Sequence, residues 1–120
     1  MDYNIREQQN AVVIPLEGNI MGGPDGTKLH ETLHSLKEQG KTNVVVDLSH
    51  AKFMNSSGLG MLISGLTTMR NARGDLRLAN VADKIQSLLV VTKLNTVFRT
   101  YDSVDAAVVS YNEEPAGAQR

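Results

Sequence analysis

Cysteine and tryptophan are absent from this 120-residue sequence, which holds only two phenylalanines and three prolines. Without thiols there is no disulfide, thiolate metal centre or cysteine nucleophile, and such usage suits a reducing compartment, so a cytoplasmic location is expected. Long apolar runs are missing too. No stretch approaches the ~18 residues that cross a bilayer, and Met1-Asp2-Tyr3-Asn4-Ile5-Arg6-Glu7 has no basic segment followed by an apolar one, as a secretory leader would. No membrane association is expected. Neither sign of charge is in excess, with 12 Lys+Arg against 13 Asp+Glu, which leaves no basic field to displace counterions from nucleic acid. Direct binding of DNA or RNA is therefore disfavoured.

What is present fits one soluble domain with one aliphatic core: 41% hydrophobic residues, 21% charged and 4% aromatic. Ala11-Val12-Val13-Ile14-Pro15-Leu16 is a β-branched run closed by Gly18, and Pro15, lacking an amide donor, points to an edge or a bulge. The preceding Tyr3 to Glu7 can pair with it as a hairpin. After the turn chemistry of Gly22-Gly23-Pro24-Asp25-Gly26, Leu29, Leu33 and Leu36 recur at helical spacing until Gly40. Val44-Val45-Val46-Asp47-Leu48 is nearly continuous in apolar character, the pattern of a central strand buried on both faces. A second helix follows through Leu59, Leu62, Ile63, Leu66 and Met69, with Ser56 or Ser57 as its N-cap.

Leu76 and Leu78 flank Arg77 in a short strand. Ile85, Leu88 and Leu89 mark a third helix, with Asn80 and Asp83 as candidate caps, and Val97 to Tyr101 reads as a last strand. Asp102-Ser103 then offers a cap for a closing helix whose face is Val104, Ala107, Val108 and Tyr111. The alternation predicts an α/β layered domain with a mixed, mostly parallel β-sheet and about four helices, over residues 1–112. Residues 113–120, with Pro115, Gly117 and no large apolar side chain, are expected to be a flexible tail.

The chemistry centres on Asn55-Ser56-Ser57-Gly58-Leu59-Gly60. A serine at a strand-to-helix junction stands where backbone amides point outward and the helix dipole is positive, a place that accepts phosphate. Glycines at 58 and 60 would let a partner's backbone or a nucleotide phosphate approach closely. An ordinary serine cap followed by glycines that allow tight helix packing explains the local sequence equally well.

The wider pattern separates the two readings. Val45-Val46-Asp47-Leu48-Ser49, Phe53-Met54-Asn55-Ser56-Ser57-Gly58-Leu59-Gly60, Leu76-Arg77-Leu78-Ala79-Asn80-Val81 and Phe98-Arg99-Thr100-Tyr101-Asp102-Ser103 together resemble the bacterial anti-sigma-factor antagonists. The resemblance implies a STAS fold and a regulatory, non-enzymatic role without a cofactor. It implies phosphorylation of Ser56 by an anti-sigma factor that is itself a serine-protein kinase, and a phosphatase acting on phospho-Ser56. The unphosphorylated form would bind the anti-sigma factor and free a sigma factor, docking through Asn55, Ser56, Ser57, Gly58, Leu59 and Gly60. A second contact region is expected at Met21, Gly22 and Gly23, extending to Asp25. Two positions depart from the family's pattern: Asn55 and Met21 each stand where the family usually has an aspartate. The alternative among binding proteins is a STAS adaptor of a signalling or transporter-associated complex that is not phosphorylated.

Three motifs suggest other chemistry. His30-Glu31-Thr32-Leu33-His34 matches the H-E-x-x-H pattern of zinc hydrolases, but Lys37 and Gly40 occupy the positions of the extended motif's glycine and third histidine, and no glutamate occurs between Glu38 and Glu113. A solvated helix face is the better reading, and no metal site is expected. Ser56 with His50 and Asp47 suggests a hydrolase, yet Met54 stands where the nucleophile elbow needs glycine. The glycines at 22–26 before Thr27-Lys28 lack the spacing of a phosphate-binding loop and read as a plain turn.

Overall fold

A computed structural model describes residues 4–115. The strands are β1 (Arg6–Gln8), β2 (Ala11–Ile20), β3 (Asn43–Met54), β4 (Asp75–Ala79) and β5 (Thr100–Tyr101). The helices are α1 (Pro24–Glu38), α2 (Ser56–Asn71), α3 (Asp83–Val91) and α4 (Val104–Glu113), with a short 3-10 turn at Leu94–Thr96. The sheet has the order β1-β2-β3-β4-β5, antiparallel between β1 and β2 and parallel elsewhere. This is the mixed, mostly parallel sheet with four helices that the alternation predicts.

The two-residue period of the strands sorts the core into two layers. Val12, Ile14, Leu16, Val44, Val46, Leu48, Leu76 and Leu78 face α1, α2 and α3, meeting Leu29, Leu33, Leu62, Leu66, Met69, Ile85 and Leu89. Ala11, Val13, Val45 and Ala79 face the other way and are covered by Ala107, Val108 and Tyr111 of α4. Met54, Met61 and Met69 are all buried, as core methionines.

β2 does not stop at Gly18 but runs on to Ile20, because β3 beside it absorbs two irregularities. Pro15 pairs with Asp47 and Glu17 with His50, then Gly18 with Ala51 and Asn19 with Phe53, so β3 carries two more residues than β2 over the same length. Pro15 thus sits at the first bulge and beyond the reach of β1, which pairs only as far as Val13, in keeping with its missing amide donor. The hairpin partner of β2 begins at Arg6; Tyr3 lies outside the described residues.

Three local expectations are corrected. α1 begins at Pro24, a favoured first helical residue, so Gly26 is helical rather than part of the turn. α3 follows Ala82 with no side-chain cap; Asp83 is its first residue, and Asn80, in the left-handed region at φ 59°, instead donates to Asp47 Oδ1 at 3.0 Å. The last strand shrinks to Thr100–Tyr101 because the 3-10 turn takes up the chain before it and Phe98 turns into the core. Ser103 does cap α4, its Oγ accepting from the Ala106 amide at 3.0 Å. α4 includes Glu113, and the Glu114 carbonyl accepts from Arg77 at 2.8 Å; of the tail expected at 113–120, residues 116–120 lie outside the described residues.

Arg77 is wholly buried, and with Asp75 two residues before it on the same strand it forms a buried pair of opposite charges. Its guanidinium donates to Asp75 Oδ2 (3.0 Å), Ser110 Oγ (2.8 Å) and the Glu114 carbonyl, and lies 4.0 Å over the Tyr111 ring. Tyr111 carries the network to the backbone: its hydroxyl stands 2.6 Å from the Val44 carbonyl and 2.9 Å from that of Asp75, sharing its proton between them, and accepts from the Val44 amide at 3.1 Å. Burial first, then the Asp75 charge, raise its pKa far above the phenol range, so it remains a donor. A buried ion pair with every polar atom satisfied ties α4 to β3 and β4 and fixes its register more than it adds stability.

Tyr111→Phe leaves two carbonyls and an amide short of a partner in an otherwise unchanged shape, and is expected to lower stability by about 1–3 kcal/mol, while Val109→Ala on the outer face of α4 changes it by less than about 0.5 kcal/mol. Urea titration of both variants with unchanged slope checks this. Asp47 gives a pH-dependent counterpart. Partial burial acts to raise its pKa, but hydrogen bonds from Asn80 and the Ser49 amide, with Arg6 nearby, outweigh it and hold the carboxyl below the usual aspartate range. A depressed folded pKa stabilises above the unfolded value and loses that contribution as pH falls through the folded one. Asn80→Gly, which keeps the left-handed backbone, should therefore raise the Asp47 pKa in a carboxyl NMR titration. Its stability deficit at neutral pH should shrink below pH 4; a deficit independent of pH would exclude the linkage.

Candidate functional site

The loop carrying Ser56 is built by the ends of two adjacent strands. Ile20 closes β2 opposite Met54 of β3, and from there the chains enter the Met21–Gly23 turn and the Asn55 junction respectively. The Asn55 amide donates to the Ile20 carbonyl at 3.3 Å, which joins the two exits. Asn55 itself is extended at φ −98°, and its Oδ1 accepts from the Gly58 amide at 2.8 Å. Asn55, rather than Ser56 or Ser57, is thus the N-cap of α2. The serines become the first two helical residues, both exposed, and the capping duty that could have explained them is already filled.

The glycines divide by role. A Cβ on Gly58 would lie 2.0 Å from the Ile20 carbonyl oxygen, so only glycine lets the first turn of α2 rest against the end of β2. Gly22, at φ 79°, would carry a Cβ 2.9 Å from Ser57 Cβ, so the turn after β2 packs directly on the second helical residue. Gly23 follows at φ 61°, and Pro24 starts α1. Gly60 has nothing within 4 Å of the space its Cβ would fill and is open to solvent.

Of the sequence-predicted docking residues, the structure therefore brings together Met21, Gly22, Gly23, Asn55, Ser56 and Ser57 on one rim, with Gly60 one turn along α2. Leu59 is a correction, because its side chain is 3% exposed and belongs to the core. Gly58 and Gly22 are buried as well and act by allowing close approach, Gly58 to Ile20 and Gly22 to Ser57.

Two large apolar side chains stand exposed at the same end of the sheet: Met21 at 46% and Phe53 at 47%. Phe53 was not identified from sequence as a surface residue. Its cue was the Phe53-Met54 pair, of which period two can bury only one, but the bulges of β3 hide which. The first turn of α2 contains no acidic side chain, so the positive end of its dipole is not answered by a helix residue of its own.

The competing constellations do not assemble. Asp47 is engaged by Asn80 and the Ser49 amide, His50 is exposed beside Glu17, and no hydrogen bond links either to Ser56. His30 and His34 lie one turn apart on α1 with ring centroids 4.2 Å apart, yet among the described residues no three histidine, aspartate or glutamate side chains converge as metal ligands. Residues 22–26 form a turn and the first turn of α1.

No helix among the described residues is long and apolar enough to cross a membrane. Residues 2–107 match the model of the STAS domain. An anti-sigma-B factor antagonist of Staphylococcus aureus is 24% identical over 78 residues, 65% of this chain and 72% of that protein. The crystal structure of an anti-sigma factor antagonist from Mycobacterium paratuberculosis superposes with a TM-score of 0.78 at 18% identity, covering 92% of this chain and 93% of the other. The Bacillus cell fate determinant SpoIIAA, in its phosphorylated form, gives 0.69 at 17% identity, covering 91% and 99%. A sulfate transporter family protein from Wolinella succinogenes gives 0.77 at 14% identity, covering 88% of each chain, so the fold is shared more widely than any one role. With its match to the family over most of its length, its mixed five-stranded sheet and its serine at the head of the second helix, this chain belongs to the STAS domain family.

Proposed function

We propose that this STAS domain is an anti-sigma-factor antagonist working as a binding switch without catalysis. Its docking surface is the rim formed by Met21, Gly23, Phe53, Asn55, Ser56, Ser57 and Gly60, with Gly22 packed beneath Ser57, and Ser56 is the residue phosphorylated. The observation that carries the reading is the position of Ser56: exposed, first in α2, and relieved of capping by Asn55. The names of the curated and structural relatives support the partner class. The partner is an anti-sigma factor that is also the serine kinase, a phosphatase resets phospho-Ser56, and all three act in the cytoplasm.

Electrostatics decide how such a switch works. A phosphate on Ser56 adds about −1.5 to −2 charges, and next to the free end of a helix dipole that charge is favourable by about 0.3–2 kcal/mol. Phosphorylation therefore does not melt α2. The Gly58–Ile20 approach and the Asn55 cap leave little room for the loop to rearrange, so the effect must fall on the interface. There, bulk and misplaced charge costing about 3 kcal/mol weaken binding roughly a hundredfold. Met21 and Phe53 supply the apolar anchors that such a rim needs.

Asn55 keeps the cap and drops the charge that the family's aspartate would place beside Ser56. A neutral neighbour removes repulsion against the incoming phosphate and removes a carboxylate that a kinase could read. Asn55 and Met21 are the features that favour the second reading, an adaptor docking through the same rim without phosphorylation.

Incubation of the intact chain with its anti-sigma kinase and ATP is expected to add one phosphate, located on Ser56 by peptide mass analysis. No phosphate with an active kinase selects the adaptor, and phosphate on another residue removes the assignment. Ser56→Asp is expected to weaken the complex by about tenfold to a hundredfold with helix content and urea midpoint unchanged, and Phe53→Ser by about tenfold or more. Wild-type affinity in both variants would place the docking surface elsewhere.

A further inference from the structure

The histidine pair on α1 is a cluster of metal-ligating side chains that the switch does not use. His30 and His34 are four residues apart in a 15-residue helix, hence on one face, and their rings meet at 4.2 Å between centroids with a 49° tilt. His30 is exposed and His34 half-buried, so their tips are reachable from solvent. Two imidazole nitrogens bind one late transition-metal ion in adjacent positions when each stands ~2.0–2.1 Å from it, which sets them ~3 Å apart. Four-residue spacing on a helix puts the two rings side by side, where rotation about their side-chain bonds alone turns a nitrogen of each toward one ion. Glu31 is ~100° further round the helix and does not share the face.

Beside the pair, a groove of about 320 Å³ between α1 and α2 is lined by Thr27, His30, Leu33, Met61, Ser64 and Thr68. The groove borders His30 and not His34, and its open side leaves room for water beside an ion held by the pair. We infer that His30 and His34 form a bidentate surface site for a divalent late transition-metal ion, Cu²⁺ or Zn²⁺, with the remaining positions held by water. This differs from the hydrolytic site that the H-E-x-x-H pattern suggests, because two ligands and no engaged glutamate leave an ion bound at the surface, with no polarising pocket around it. Neutral imidazole favours copper over zinc, following the general order of divalent affinities.

The test uses the full chain without an affinity tag, freed of metal by a chelator that is then removed, and titrated with Cu²⁺ and with Zn²⁺ by calorimetry. One ion per chain is expected, with copper the tighter. His30→Gln and His34→Gln are each expected to weaken binding by at least about tenfold, since each removes the chelate that makes the second contact intramolecular. His50→Gln, which removes the remaining histidine, leaves it unchanged. Electron paramagnetic resonance of the copper form should show coupling to two imidazole nitrogens. Absence of binding up to millimolar ion, coupling to a single nitrogen, or equal loss in His50→Gln would each overturn the site. Circular dichroism of the variants confirms that the helix persists, so a loss of binding is read as loss of a ligand.

Discussion

The arrangement of this protein depends on one close contact, the approach of the first turn of α2 to the last carbonyl of β2. Gly58 has no Cβ, and any Cβ there would fall within 2.0 Å of the Ile20 oxygen. The contact sets where α2 starts, where the Met21–Gly23 turn must pass and why that turn in turn needs glycine against Ser57. Asn55 completes it from both sides, donating its amide to Ile20 and accepting the Gly58 amide on its side chain. Two strand exits and two helix starts are thereby locked into one rim by a handful of backbone contacts.

That rigidity links structure to the proposed switch. A helix start that is already capped neither needs a phosphate nor is disrupted by one, so Ser56 can change the charge of the surface without changing the fold beneath it. At the opposite end of the sheet, the Asp75–Arg77–Tyr111 network performs a complementary task. By holding α4 across β3 and β4 through directional bonds, it keeps the outer layer in register while the rim remains free for partners. The proposed docking rim and the register-setting residues thus occupy separate ends of the sheet.

Much of this was legible in the sequence, and the reasons are physical. The nearly continuous apolar run of Val44–Leu48, helical spacing in Leu29, Leu33 and Leu36, and the Ser103 cap depend on local geometry alone, which sequence encodes directly. Residues whose state depends on a neighbour in space were harder. Asn55 could be recognised as the cap only once the Ile20 carbonyl was beside it, and Leu59 belongs to the core because Gly58 draws its turn inward. The burial of Arg77 between Leu76 and Leu78 is not legible locally, since nothing in the short strand announces that Ser110 and Glu114 will meet it. Phe53 was hidden by two bulges that only the pairing of β3 with β2 makes visible.

The central claim is that partners dock on a preformed rim around Ser56. Mapping amide chemical-shift changes in the ¹⁵N-labelled protein on addition of its unlabelled anti-sigma partner tests it most directly. The account predicts changes concentrated at Met21–Gly23, Phe53 and the first turn of α2, with α4 and the α1–α2 groove unaffected. Changes centred on α4 or on the groove, with the Ser56 rim silent, would contradict it.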